Sequence, residues 1–227
     1  MSRPLKEMSF ARQPLDKILS SGGSVRIMRA LLAHGSYLSV PRVAQDTHMA
    51  VNGVRDVLTA LEMAGVVEST GSARARLFRA IPNHPIVASL AALFEAERAR
   101  FQAIMASFKD VAADSRVSAA WLFGSVARAE DRADSDWDIA IVVDGDVVET
   151  ARVAGWVRGV VEEHERRLGF TASIVPLALS DIPRLASGGS PLWSGLLNEA
   201  QVLKGPEPRI LAETAGRRES HALKSAT

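Results

Sequence analysis

The chain predicts an α/β C-terminal half preceded by a mainly α N-terminal half. From Val117 onward, strand-like apolar runs alternate with helical ones, the pattern of an α/β domain. Before position 82, helical apolar spacing recurs several times and is followed by two strand-like runs around a Gly-containing turn. Asn83-His84-Pro85 separates the two regions.

Leu15 to Leu19 reads as a short amphipathic turn. Ser24 to His34 follows, with Val25, Met28, Leu31 and Leu32 giving one apolar face at helical spacing. After His34-Gly35-Ser36, Ser39 is placed to cap a short helix over Val40 to Asp46, and Pro41 falls in its first turn, where proline is tolerated. Val51 to Ala64 is the next helix: Val54, Val57, Leu58 and Leu61 recur at three and four, Gly53 weakens it, and Gly65 stops it. Val66 to Phe78 then reads as a hairpin around Gly71.

Ile86 to Ala113 reads as one long helix with an apolar stripe of Leu90, Leu93, Phe94, Phe101, Ile104, Met105 and Phe108. The stripe reads as a packing seam or, alternatively, as a homodimer interface, which would suit a two-fold DNA site. Beyond it come a strand near Val117 to Phe123, a turn and short helix after Gly124, a strand from Trp137 to Val143, a helix from Val147 to Leu168 and a strand from Phe170 to Val175. Pro191 to Asn198 looks like one more helix and Ala200 to Leu203 a last short strand. The tail from Gly205 has no strong period and is expected to be mobile.

Chemistry concentrates in Trp121 to Val143, WLFGSVARAEDRADSDWDIAIVV. Asp136 and Asp138 stand two positions apart at the head of an apolar run, and in an extended strand such side chains share a face. Two carboxylates aimed at one spot suit a hard cation such as Mg²⁺, which takes oxygen ligands and typically binds through one or two carboxylates plus substrate phosphates. Gly124 and Ser125 supply a tight turn, backbone N–H groups and a hydroxyl for the other side of a polyphosphate. Taken alone, an Asp-x-Asp pair is also a common solvated strand end.

The combination of turn, spacer and acidic pair resembles the signature of the minimal nucleotidyltransferases of the polymerase-beta-like superfamily, with Gly124, Ser125, Ala127, Arg128, Ser135, Asp136 and Asp138 at matching places. The helices and hairpin before it resemble a winged helix-turn-helix domain. The implied fold is an α/β nucleotidyltransferase domain preceded by a mainly α winged helix-turn-helix domain. We place the DNA-binding domain at 14–82, a linker helix at 85–114, the nucleotidyltransferase domain at 115–204 and a flexible tail at 205–227.

These resemblances imply roles. Asp136 and Asp138 would be the catalytic and metal-binding pair for Mg²⁺, and Gly124, Ser125 and Arg128 would bind the phosphates of an NTP, although Arg128 also reads as a solvated turn residue. The helix from Val51 would enter the major groove of double-stranded DNA, with Asn52 and Arg55 able to contact base edges. Arg74 and Arg76, two apart on one wing strand, would reach phosphate.

Two departures stand out. Ala129 occupies a place where the superfamily often has Gly, which restricts the turn. The third superfamily carboxylate, a general base or further metal ligand, usually lies on a later strand, and Phe170 to Pro176 contains no acid. Asp144, Asp146 or Asp181 would substitute only if the fold brought one round. Two functions therefore stay open: transfer of a nucleoside monophosphate to an acceptor hydroxyl, or transcriptional regulation by a nucleotide-sensing domain without turnover. Both agree with toxin-antitoxin systems, which such domains resemble.

Composition narrows the classes. The chain has 227 residues, 47% hydrophobic and 23% charged, as for an ordinary globular protein of two domains. The sequence has no apolar run of membrane-spanning length, and the N-terminal residues lack an apolar core of signal-peptide length, which points to the cytoplasm. Zero cysteines exclude disulfide frameworks and thiolate zinc sites. Net charge is +1, but residues 1–90 carry eleven basic against six acidic side chains and residues 117–204 eight against thirteen. A basic first part suits a polyanion and an acidic second part a metal. His164, among Glu162, Glu163, Glu165, Arg166 and Arg167, reads as a solvated surface group, and no Walker loop or dinucleotide fingerprint is present.

Overall fold

A computed structural model of the chain describes residues 13–72 and 75–225, with side chains described to residue 217. Two compact units emerge, with the division between Arg98 and Ala99.

In the first unit, α1 (Leu15–Ile18), α2 (Gly22–His34), α3 (Val40–Thr47) and α4 (Val51–Met63) surround one core. Helix starts follow side-chain chemistry: Ser21 accepts from the Ser24 N–H to cap α2, and Ser39 accepts from the Arg42 N–H to cap α3. Helix α2 ends at Gly35 and α4 is followed by Gly65, both left-handed at φ 63° and 74°. The hairpin consists of β2 (Val67–Thr70) and β3 (Leu77–Ala80). A third short strand, β1 (Leu38–Ser39), pairs antiparallel with β3 at Leu38↔Phe78, giving the order β1-β3-β2. Two residues are too short for a periodicity signal, which is why the sequence did not reveal β1. The helix-turn-helix and its hairpin are thus present as expected, with β1 as an added third strand. One expectation changes: β3 begins at Leu77, so Arg76 lies in the connection before it, and Arg74 lies outside the described residues.

Helix α5 (Pro85–Ala112) contains the division between the units. Val87, Leu90 and Phe94 belong to the core of the first unit, and Ile104, Phe108, Val111 and Ala112 to the main core of the second. The helix is therefore a core element at each end, more than a linker. Leu93 and Phe101, expected in the packed stripe, are 55% and 44% exposed.

The second unit is built on β4 (Val117–Phe123), β5 (Trp137–Val143), β6 (Ala172–Ala178) and β7 (Gln201–Lys204), in the order β6-β5-β4-β7. β4 runs antiparallel to β5 and β7, whereas β5 and β6 are parallel and joined by α7 (Val147–Leu168), the long crossover that a parallel pair requires. A register shift sets Val117 opposite Val143 but Ala119 opposite Val142, so two β4 steps oppose one on β5. This bulge reverses the side-chain parity along β4. Val117, Ala120 and Leu122 consequently join the core cluster that contains α7 residues, while Ala119 and Trp121 join a second cluster on the other face.

That second face is covered by α8 (Ile182–Ser187), α9 (Pro191–Glu199) and α10 (Pro208–Ser225). Two boundaries differ from expectation. β6 runs on to Ala178 through Pro176, because it is an edge strand and loses no ladder bond on its open side. The segment expected to be a mobile tail is helix α10, whose Leu211 and Ala215 are buried beside Trp121, Trp193 and Leu196. Among the described residues no helix is long and apolar enough to cross a membrane.

Candidate active site and candidate DNA-binding surface

β4 ends at Phe123 and the chain turns sharply at Gly124, where φ is +76°, into the single turn α6 (Gly124–Ala127). The left-handed backbone favours glycine, and the space demands it: a Cβ here would overlap Oδ2 of Asp138. Phe123 pairs with Asp138 across the β4–β5 ladder, so strand register holds the Asp138 carboxylate against the Gly124 turn. Ser125 is half-buried in the same turn, and its carbonyl accepts from the Glu130 N–H at 2.9 Å. The later part of the turn carries Ala129 at φ +55°, the left-handed conformation that the expected glycine would adopt without strain.

Asp138 lies on β5 and Asp136 immediately precedes the strand, spaced two apart. Trp137, between them, faces the opposite way into the core, where its ring lies 5.4 Å from Phe101 and 5.9 Å from Phe170. Asp136 is exposed and Asp138 half-buried. Burial, followed by the charge of Asp136, pushes the Asp138 carboxyl above its usual range, while a hydrogen bond with Ser173 and the charge of Arg128 act the other way. A half-buried carboxylate repelled by a second one is electrostatically suited to an added cation.

Asp144, Asp146 and Asp181 are not brought to the pair. Ser173 pairs with Asp138 in the parallel β5–β6 register, so a hydroxyl stands on the neighbouring strand. Asp146 and Asp181 follow the far ends of β5 and β6, where Asp146 accepts from the Glu149 N–H at 2.8 Å and Asp181 pairs with Arg184 at 3.0 Å. Asp144 likewise follows the far end of β5. Among the described residues no group of three or more acidic or histidine side chains is placed to hold a metal. His164 stays a surface group, 3.2 Å from Arg167.

Sequence reasoning missed Glu199, the last residue of α9. Its Oε1 accepts from the Gly124 N–H at 3.3 Å, and its Oε2 pairs with the Arg128 guanidinium, which also contacts Glu130 at 2.8 Å. Arg128 is thus held against the turn by two carboxylates, not left as a free surface cation. Gln201, at the start of β7, donates to the Ala127 carbonyl at 2.8 Å and anchors the same turn. No spacing rule links a lone acid before β7 to a turn some 75 residues earlier, so only the tertiary fold reveals it.

In the first unit, Asn52 and Arg55 are both exposed on α4. Arg55 lines an open groove of about 470 Å³ together with Ser39, Pro41, Thr59, Arg76 and Leu77. Arg76 is engaged within the unit: it donates to both Glu62 oxygens at 2.6 and 2.7 Å and lies over the Phe78 ring. Hydrogen bonding from Ser69, the largest cause, and from Arg76 holds the Glu62 carboxyl below its usual range.

A glycine-serine turn after one strand, facing paired aspartates at the head of its antiparallel neighbour, on a β6-β5-β4-β7 sheet, defines the C-terminal unit as a minimal nucleotidyltransferase-type domain. Residues 107–177 match the family "Polymerase beta, Nucleotidyltransferase", and the first unit has the element order of a winged helix-turn-helix fold. No curated protein matches the chain.

Three solved structures are similar in part. The crystal structure of a toxin-antitoxin with AMP-PNP is 16% identical, with a TM-score of 0.34, over 53% of this chain and 90% of that one. A homodimeric winged helix-turn-helix DNA-binding domain from Mycobacterium bovis is 22% identical at 0.33, over 44% of this chain and 91% of that one. The AntR antimony-specific transcriptional repressor is 18% identical at 0.35, over 45% and 96%.

Proposed function

We propose that this protein binds double-stranded DNA through its first unit and a nucleoside triphosphate with Mg²⁺ through its second. The observation that carries the nucleotide reading is the juxtaposition of Asp138, beside Asp136, with the Gly124 turn. Asp136 and Asp138 would hold the metal, which when bound supplies positive charge against the triphosphate. The Gly124 N–H, the Ser125 hydroxyl and Arg128 would face phosphate oxygens.

Ser173 beside Asp138, with no acid on β6, favours a domain that senses nucleotide over one that transfers it. Transfer of a nucleoside monophosphate to an acceptor hydroxyl is the second reading. A labelled NTP with Mg²⁺ and hydroxyl-bearing acceptors separates them, because label on an acceptor would sink the sensing reading.

The double substitution Asp136→Asn with Asp138→Asn tests the site itself. Calorimetric titration should show Mg²⁺-dependent NTP binding in the wild type and none in the variant. Stability should move the other way. A carboxyl whose pKa is raised on folding favours the folded state when protonated, an advantage complete below its unfolded pKa and lost as pH rises through the folded value. At neutral pH the ionised Asp138 therefore opposes folding, and the variant should be slightly more stable there, with the gain vanishing in acid. NTP binding that survives the double change would refute the reading.

For the DNA surface, the basic balance of the N-terminal part and the exposed Asn52 and Arg55 of α4 support major-groove contact. Arg55→Ala should cost about 1–3 kcal/mol on a preferred duplex and leave non-specific binding nearly intact. Anisotropy titrations at several salt concentrations would measure both. An equal loss on all duplexes would reassign Arg55 to phosphate. Arg74 and Arg76 are the proposed phosphate contacts, and for Arg76 any such contact must compete with the Glu62 pair.

A further inference from the structure

The Glu199 carboxylate sits where the proposed function puts phosphate. It takes the Gly124 N–H through one oxygen and Arg128 through the other, so a single planar anion satisfies a backbone donor and a guanidinium together. These are the donors that a phosphate oxygen pair would use. Glu199 is held there by its surroundings: its side chain is only 17% exposed, it ends α9, and Gln201 just beyond it is tied to the Ala127 carbonyl.

We infer that Glu199 is a built-in competitor for the phosphate position, a specificity-determining residue that a triphosphate must displace and that excludes anions too weak to do so. The inference rests on the nucleotide reading of the turn. Its physical basis is charge: Asp136, Asp138 and Glu199 all lie near the turn, and Arg128 is already shared between Glu130 and Glu199. A bare phosphate arriving there would meet acidic groups and an Arg128 guanidinium already shared between two carboxylates. A triphosphate carried in with a divalent cation neutralises the aspartates and offers several oxygens, so it can replace the carboxylate where a monoanion cannot.

If the competitor occupies the donors for nine-tenths of the time, the apparent affinity is about tenfold below the intrinsic one. Glu199→Gln, which keeps the shape and removes the charge, should then bind ATP with Mg²⁺ about tenfold more tightly than wild type in calorimetric titration of the full chain. Glu199→Ala should gain similarly. Tripolyphosphate with Mg²⁺ should show the same gain, because the competition concerns phosphate and not the base. A residue that merely buttresses the turn would lose affinity when substituted, so the direction of the change distinguishes competition from support.

Equal or weaker binding by both variants, with wild-type binding intact, overturns the competitor and leaves the nucleotide site standing. Absence of binding by wild type and variants alike overturns the nucleotide site and the competitor together. Tight binding by the variants beside weak or undetectable binding by wild type establishes both.

Discussion

Trp121→Ala is expected to remove about 3–5 kcal/mol from the stability of the C-terminal unit, the cost of truncating a large buried aromatic in a core that cannot fully collapse. Trp121 is fully buried on β4, a central strand, paired with Ala140 on β5 and Val202 on β7. Its ring meets Trp193 edge-on at 6.3 Å, and its indole N–H donates to the Pro206 carbonyl at 2.9 Å. One side chain therefore joins the sheet, α9 and the segment leading into α10. Single domains have about 5–15 kcal/mol in all, so the loss is at least about a fifth of the total. Trp121→Phe should be milder, about 1–2 kcal/mol, since it mainly leaves the Pro206 carbonyl without its donor. Urea titration followed by circular dichroism measures both. A loss below about 1 kcal/mol for the alanine variant would show that this cluster does not hold the unit together.

Gly124→Ala should damage the fold and the site at once. Adopting the left-handed backbone costs an alanine about 1–2 kcal/mol. Ala129 shows that such a conformation is tolerable where the side chain is exposed, at φ +55°. At Gly124 the added methyl would also strike the Asp138 carboxylate, so either Asp138 leaves its position or the turn opens. We expect a total loss of about 2–3 kcal/mol and a fall of at least tenfold in affinity for NTP with Mg²⁺. Ser125→Ala, which alters a side chain but not the backbone path, should leave stability within about 0.5 kcal/mol of wild type. Unchanged nucleotide affinity in Gly124→Ala would mean that the Gly124–Asp138 contact is irrelevant to binding.

Local signals made most of the architecture legible. Helical spacing located α2 and α4, and Ser39 with Pro41 marked the start of α3. Signals were absent where burial is supplied from afar. α10 reads as an unpatterned polar tail because its core contacts among the described side chains, Leu211 and Ala215 with Ala212 beside them, are few and small. β6 extends past Val175 because Pro176 lies on an edge, which only the strand order shows.

The acidic pair, the glycine-serine turn and their spacing belong to one continuous stretch, so residue type and period determined the identity of the candidate site and the domain class. What surrounds that site was decided by the tertiary structure. Ser173 came to stand beside Asp138 through strand register, and Glu199 came to the Gly124 N–H and Arg128 through the packing of α9. Register and packing depend on which faces bury apolar surface together, a property of the whole sheet that no short stretch of residues contains.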